Sequence, residues 1–207
     1  MYSIKKTERL YEPISSFHNL VEHLDGFGDR IIYRYFVDGG KNLAEMTYRD
    51  FAGMVRTEAA GLSALGFAGR RVAIIGETSP EWVATFLSIV TSGGIAVPMD
   101  KELAISEIEG LLASAEVEGI VYSASFAHKF DGAVASHPSL KFFIPMHPAE
   151  DELIDEKIVP LAKVMEAGAA NTDYTPVTRP GKKREEQNDL LSRGGRSRHH
   201  RLWVARR

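Results

Sequence analysis

Hydrophobic positions along the chain alternate between two periods, and the switches between them divide it into short elements. The stretch "SSFHNLVEHL" places Phe17, Leu20, Val21 and Leu24 on one helical face, with Ser15 or Ser16 as the cap. Next, "RIIYRYFVDGGKNLAEMTY" alternates Ile31, Tyr33, Tyr35 and Val37 with other residues around Asp38-Gly39-Gly40, which predicts a β-hairpin. Thr47 with Asp50 forms a capping box for a helix whose buried stripe is Phe51, Met54, Val55, Ala59 and Leu62, and Gly66 sits where a left-handed C-cap is wanted.

The rhythm then becomes strand, helix, strand. "RVAIIG" is a continuous apolar run, as in a strand buried on both faces. "TSPEWVATFLSIVTSGG" is the strongest helix. Ser79 is its cap, Pro80 fits the first position because it has no N–H to waste, and Glu81 complements the positive helix end. Trp82, Phe86, Ile89 and Val90 line one face, Gly93-Gly94 ends the helix, and "IAVP" is the next strand. Ser106 with Glu109 reads as a second capping box, followed by Ile108, Leu111, Leu112 and Ala115. "GIVY" and "LKFFI" are further strands, with a weaker helix over "SFAHKFDGAVASHP" between them. A last helix falls within "EKIVPLAKVMEAG", its start delayed by Pro160. This alternation predicts an α/β fold: a parallel sheet of right-handed βαβ units with helices on both faces, preceded by the hairpin.

Composition narrows the class. The 207 residues are 44% hydrophobic and 26% charged, as in a globular protein, and they include no cysteine, which excludes disulfides and thiolate metal sites. "MYSIKKTERLYEP" has no apolar core of a secretory signal, and no apolar run approaches the ~20 residues of a membrane span. A soluble, cytoplasmic protein is expected.

The net charge of −3 hides an asymmetry. Residues 1–180 carry 16 Lys/Arg against 25 Asp/Glu, and residues 181–207 carry 9 against 3. The sign reverses near Arg179-Pro180-Gly181, a linker signal. The organisation expected is a lead-in over 1–29, an α/β domain over 30–170, and a linker with a basic, disordered tail over 171–207.

No self-sufficient catalytic constellation is present. G-x-G-x-x-G, G-x-x-x-x-G-K-[ST] and G-x-S-x-G are all missing. "TSGG" at Thr91–Gly94 resembles a phosphate loop, but it lies at a helix C-terminus, where the dipole repels anions. Gly61 and Gly66 read as helix interior and helix stop. The histidines form no H-x-x-x-H pair, and the acids at Glu150-Asp151-Glu152 and Asp155-Glu156 read as a solvated loop. No catalytic, cofactor-binding or metal-ligating residue is therefore assigned.

One run carries a resemblance. Thr47-Tyr48, Gly61-Leu62, Leu65-Gly66, Arg71-Val72-Ala73, Ser79-Pro80-Glu81-Trp82, Gly93-Gly94 and Val97-Pro98 stand in an order and at intervals that resemble the N-terminal part of adenylate-forming (AMP-binding) enzymes, specifically acyl-CoA synthetases (fatty-acid–CoA ligases). The likeness runs from Arg30 to Phe143 and more loosely to Gly168. It implies a two-step ligase: ATP and a fatty acid give an acyl-adenylate and pyrophosphate, and CoA thiol then displaces AMP. ATP, Mg2+ and CoA are implied for the family, and no cofactor is expected for this chain. The family's phosphate loop, ending in Lys-Gly, and its later catalytic residues have no counterpart here. The matching motifs are fold determinants, so the resemblance implies a truncated N-terminal fragment, inactive alone, that self-associates through uncovered apolar surface.

Two readings of the tail "SRGGRSRHHRLWVARR" stand side by side. In one it is out-of-frame text. If Arg198–Trp203 were encoded CGG CAC CAC CGG CTA TGG, reading one base later would give Gly-Thr-Thr-Gly-Tyr, the heart of the family's phosphate loop. The same shift does not turn Arg196-Ser197 into Thr-Ser. In the other it is a basic arm that binds nucleic acid nonspecifically through phosphates, with Trp203 its one aromatic and no specific nucleic-acid target. A third reading, a complete Rossmann-like module, lacks the glycine fingerprint.

Overall fold

A computed structural model describes residues 14–37, 40–130, 137–148 and 157–177. The acidic run at 150–156, the Asp38-Gly39 part of the hairpin turn, the charge boundary and the basic tail lie outside the described residues.

Helix α1 (Phe17–Asp25) starts at Ser16, whose hydroxyl accepts from the Asn19 N–H. Strands β1 (Ile31–Val37) and β2 (Asn42–Thr47) pair antiparallel, with Tyr35 opposite Ala44 and Phe36 opposite Leu43. Helix α2 (Tyr48–Ala64) carries the expected capping box between Thr47 and Asp50, and Gly66 follows it with φ +74°. That left-handed turn is one a β-carbon would strain. α1, the hairpin, α2 and helix α3 (Pro80–Thr91) share one apolar cluster built on Val21, Met46, Phe51, Val55, Ala84 and Leu87.

Four parallel strands form the main sheet: β3 (Arg71–Ile75), β4 (Ile95–Pro98), β5 (Gly119–Tyr122) and β6 (Phe142–Pro145), in the order β4-β3-β5-β6. Helix α3 (Pro80–Thr91) connects β3 to β4, and α4 (Ile105–Ser114) connects β4 to β5. Helix α5 (Leu161–Ala170) follows the sheet, starting directly after Pro160 as the sequence predicts.

Period-two alternation sorts the strands between two cores. Ala73, Ile75, Val97, Ile120, Tyr122 and Phe143 meet Ile108 and Leu112 of α4 on one face. Val72, Ile74, Ala96, Val121, Phe142 and Ile144 meet Leu62, Ile89, Leu161 and Val164 of α2, α3 and α5 on the other. The fold class read from the sequence is the one found.

Two local expectations are corrected. The Ser106/Glu109 box does not form. α4 begins two residues earlier, because the Glu107 carboxylate accepts from the Ala104 N–H at 3.0 Å and so satisfies a free donor at the helix start. The weak helix after β5 is a 3₁₀ stretch over Ala124–Phe130, with 131–136 outside the described residues. The Phe126 N–H reaches back three residues to the Ser123 carbonyl at 2.9 Å, which tightens the turn.

Candidate functional site

In an open parallel sheet, ligands bind beyond the carboxyl ends of the strands where the chain reverses its direction of winding. Here that place is β3. The chain leaves it toward β4 on one side and later returns to β5 on the other. Three loops meet there: Gly76–Ser79 after β3, Met99–Lys101 after β4 and Ser123–Ser125 after β5. Gly76, Glu77, Thr78, Trp82, Met99, Asp100 and Lys101 line a shallow crevice of ≈ 350 Å³.

The crevice is bridged by the protein itself. The Ser123 hydroxyl donates to Glu77 Oε2 at 2.6 Å, and the Ser125 hydroxyl donates to Glu77 Oε1 at 2.8 Å. The loops approach closely because Gly76 has no side chain; a β-carbon there would lie 3.1 Å from Ser123 Cβ and Oγ. The Ser123 hydroxyl, then that of Ser125, hold the Glu77 carboxyl below the usual glutamate range, with a smaller contribution from the Lys101 charge. Glu77 is therefore ionised at neutral pH. The Asp100 carboxylate accepts from the Glu102 N–H at 3.0 Å, and Lys101 lies 3.8 Å from Glu102. On the α3 side, Trp82 stacks against Phe86 with ring centroids 6.2 Å apart.

This arrangement does not fit a nucleotide triphosphate. A helix start after the first strand can bind phosphate when its N–H groups are free. The start of α3 is committed: the Ser79 hydroxyl accepts from the Trp82 N–H at 3.1 Å, Pro80 has no N–H, and Glu81 adds negative charge in the first turn. Glu77 and Asp100 add two further carboxylates. No chemical step through ATP is assigned to these residues.

Other sequence features fall away from the crevice. His18 pairs with Glu22 at 3.3 Å, the His23 Nδ1 faces the Asn19 carbonyl at 3.2 Å, and His137 Nδ1 meets Ser139 Oγ at 2.8 Å. Among the described residues, no group of three or more His, Asp or Glu could hold a metal ion. At the opposite, amino end of the sheet, Glu118 joins Arg70 and Lys141, and Arg71 pairs with Glu116. "TSGG" is the helix stop expected, with Gly93 at φ +81°.

Sequence reading missed two features. The Glu77–Ser123–Ser125 bridge joins residues 46 and 48 positions apart, beyond any local motif. The second is Glu58 in α2, which is 1% exposed. It had a legible signal, because positions 51, 55, 58 and 62 share one helical stripe.

The architecture defines an open parallel α/β domain with a shallow crevice at its switch point, beside which Glu77 ties two loops together. Its family follows from comparison: the model of the AMP-binding enzyme family matches residues 20–190, and the chain belongs to that family. Among solved structures, it is similar to the acyl-CoA synthetase of Brucella canis, with 22% identity over 87% of this chain and 33% of that one, at a TM-score of 0.65. It is also similar to the A domain of the carboxylic acid reductase of Segniliparus rugosus, solved with AMP and a co-purified carboxylic acid (17% identity, 84% of this chain and 33% of that one, TM-score 0.67). A third is the coronafacic acid ligase of Pectobacterium brasiliense (11% identity, 79% and 31%, TM-score 0.66). The chain thus spans about a third of the length of these structures. Comparison with curated proteins found no match.

Proposed function

We propose that this chain is the N-terminal part of a carboxylic-acid-activating ligase that joins a fatty acid to CoA through an acyl-adenylate, and that it does not adenylate on its own. The observation that carries the reading is the family match over residues 20–190. The ordered motifs from Thr47 to Pro98 support it, since they sit at the caps, buried strands and turns of the observed fold. The acyl-CoA synthetase named above supports CoA as the acceptor; the other two structures leave the acid open in class.

Inactivity of the chain alone rests on the crevice. Acyl transfer needs preorganised donors aimed at the charge that develops in the transition state. The described crevice offers two carboxylates, one lysine and a helix start already capped by Ser79. ATP–pyrophosphate exchange with a panel of fatty acids of different length tests this. The expected result is exchange no greater than in a blank without protein, and exchange clearly above it refutes the inactivity. The basic-arm reading gains no support from the family match or from the solved structures.

A further inference from the structure

The Glu58 carboxyl is buried in the seam between α2 and α3, where no cation among the described residues pairs with it. Its polar neighbours on α3 are the hydroxyls of Thr85 and Ser88. Ser88 directs its hydroxyl at backbone carbonyls, Ala84 O at 2.7 Å and Val55 O at 3.0 Å. The Thr85 hydroxyl, fully buried, has the carboxyl as its polar neighbour and no other partner. Such a pocket suits a carboxylic acid, which brings its own proton and can donate to a hydroxyl oxygen. It does not suit a carboxylate, which needs several donors.

The charged groups on the neighbouring elements are engaged or turned outward. On α1, His18 pairs with Glu22 and Asp25 pairs with Arg56, while His23 turns Nδ1 to a backbone carbonyl and buries Nε2 without a partner. On α5, Lys163 and Glu166 are exposed. On α3, Glu81 stands in the first turn, a full turn from Thr85. Burial, the largest influence, pushes the Glu58 carboxyl up to about 8, while the hydroxyls of Thr85 and Ser88 oppose it by less.

The seam also reaches the crevice. Thr85 lies one helical turn beyond Trp82, which forms part of the crevice wall and stacks on Phe86. Packed helices shift as rigid bodies, so a change at Thr85 moves Trp82. We propose that Glu58 is a proton-controlled seat for α3: the seam closes on the carboxylic acid, loosens on the carboxylate, and carries Trp82 in the crevice wall with it.

The sign of the effect on stability follows from linkage. A glutamate with its folded value raised above the ordinary 4.5 holds a proton in the folded chain that the unfolded chain has lost. Its contribution to stability is full below pH 4.5, declines as pH rises from there, and levels off above about 8.

The test uses the full chain carrying Trp203→Phe, which leaves Trp82 as the sole tryptophan. Trp82 emission is followed from pH 6 to pH 9.5, and the melting temperature from pH 5 to pH 9, with and without Glu58→Gln. The expected result is a single emission transition centred near pH 8 in the Glu58 protein and a melting temperature that falls across the lower part of the range. Both should be absent in Glu58→Gln. Glu58→Met, which keeps the length without a titrating group, should behave like Glu58→Gln. Equal transitions in all three proteins, or none in the Glu58 protein, overturn the proposal.

Discussion

Gly168 of α5 rests on the backbone of Thr57 in α2: a β-carbon at Gly168 would collide with the Thr57 carbonyl oxygen, and Gly61 makes the reciprocal contact with the Val164 carbonyl. The two helices cross with backbone against backbone, and neither glycine has a positive φ, so the reason for glycine here is space. Gly168→Ala is expected to destabilise the fold by about 1–3 kcal/mol, the usual cost of overpacking. Gly53, in the same helix α2, has nothing within 4 Å of its virtual β-carbon, so Gly53→Ala is expected to stabilise by about 0.5–1 kcal/mol through helix propensity alone. Urea unfolding of the two variants decides it. Changes of the same sign would show that the contact between α2 and α5 is misread.

The amino end of the sheet is tied by charge. Glu118 Oε2 accepts from Lys141 Nζ at 2.7 Å and from Arg70 Nη1 at 2.8 Å, which joins the starts of β3, β5 and β6. The Lys141 hydrogen bond holds the Glu118 carboxyl below its ordinary 4.5 against burial, the second-largest influence, with help from the Arg70 hydrogen bond and the two positive charges. A lowered folded value means stability that is present above pH 4.5 and lost as pH falls through the folded value. Glu118→Gln should therefore melt below the parent at pH 7, and the gap should close as the pH approaches 3. High salt should narrow it at pH 7 as well. A gap independent of pH would assign Glu118 a packing role instead.

The outer face of the hairpin presents Phe36, 71% exposed, directly across from Leu43, 58% exposed, beside the Arg34–Glu45 ion pair. The inner face is where the hairpin meets the rest: Tyr33 packs edge-to-face on Phe51 at 5.3 Å, and Met46 is buried. Two large apolar side chains side by side on a solvent face favour self-association. Phe36→Lys is expected to lower concentration-dependent association in sedimentation velocity and to cost no more than about 1 kcal/mol, the scale of one cross-strand pair. If association is unchanged in Phe36→Lys combined with Leu43→Ser, the apolar contact lies elsewhere.

How much of this was legible depended on the range of the interaction. The caps of α2 and α3 were read correctly because each is local: Thr47 acts on Asp50 and Ser79 on the Trp82 N–H, each three residues on. The buried strands were read because a continuous apolar run has few other uses. At α4 a locally valid motif was outcompeted: Ser106 and Glu109 had the right spacing, but Glu107 reached the Ala104 N–H and fixed the start two residues sooner. The crevice was opaque for a different reason. Glu77 and Ser123 become neighbours only when β3 and β5 pair, with Ile75 opposite Tyr122, and no local period encodes that register. Glu58 lies on the buried stripe of α2, but residue type alone points the other way, because acids are ordinarily exposed.

The Glu77 bridge makes the last prediction. The two serine hydroxyls each serve one oxygen of the same carboxylate and lie 3.1 Å from each other, so losing one leaves the other in place. Ser123→Ala should raise the Glu77 titration point more than Ser125→Ala does, because Ser123 is the larger influence on it. The double variant should bring Glu77 close to its ordinary 4.5. Carboxyl-carbon NMR of the labelled chain reads this directly. Amide exchange in the loop after β5 should speed up in the same order, since the bridge ties that loop to the end of β3. An unmoved Glu77 titration in the double variant would mean that the bridge does not form in solution, and that the crevice at the switch point is open to a ligand.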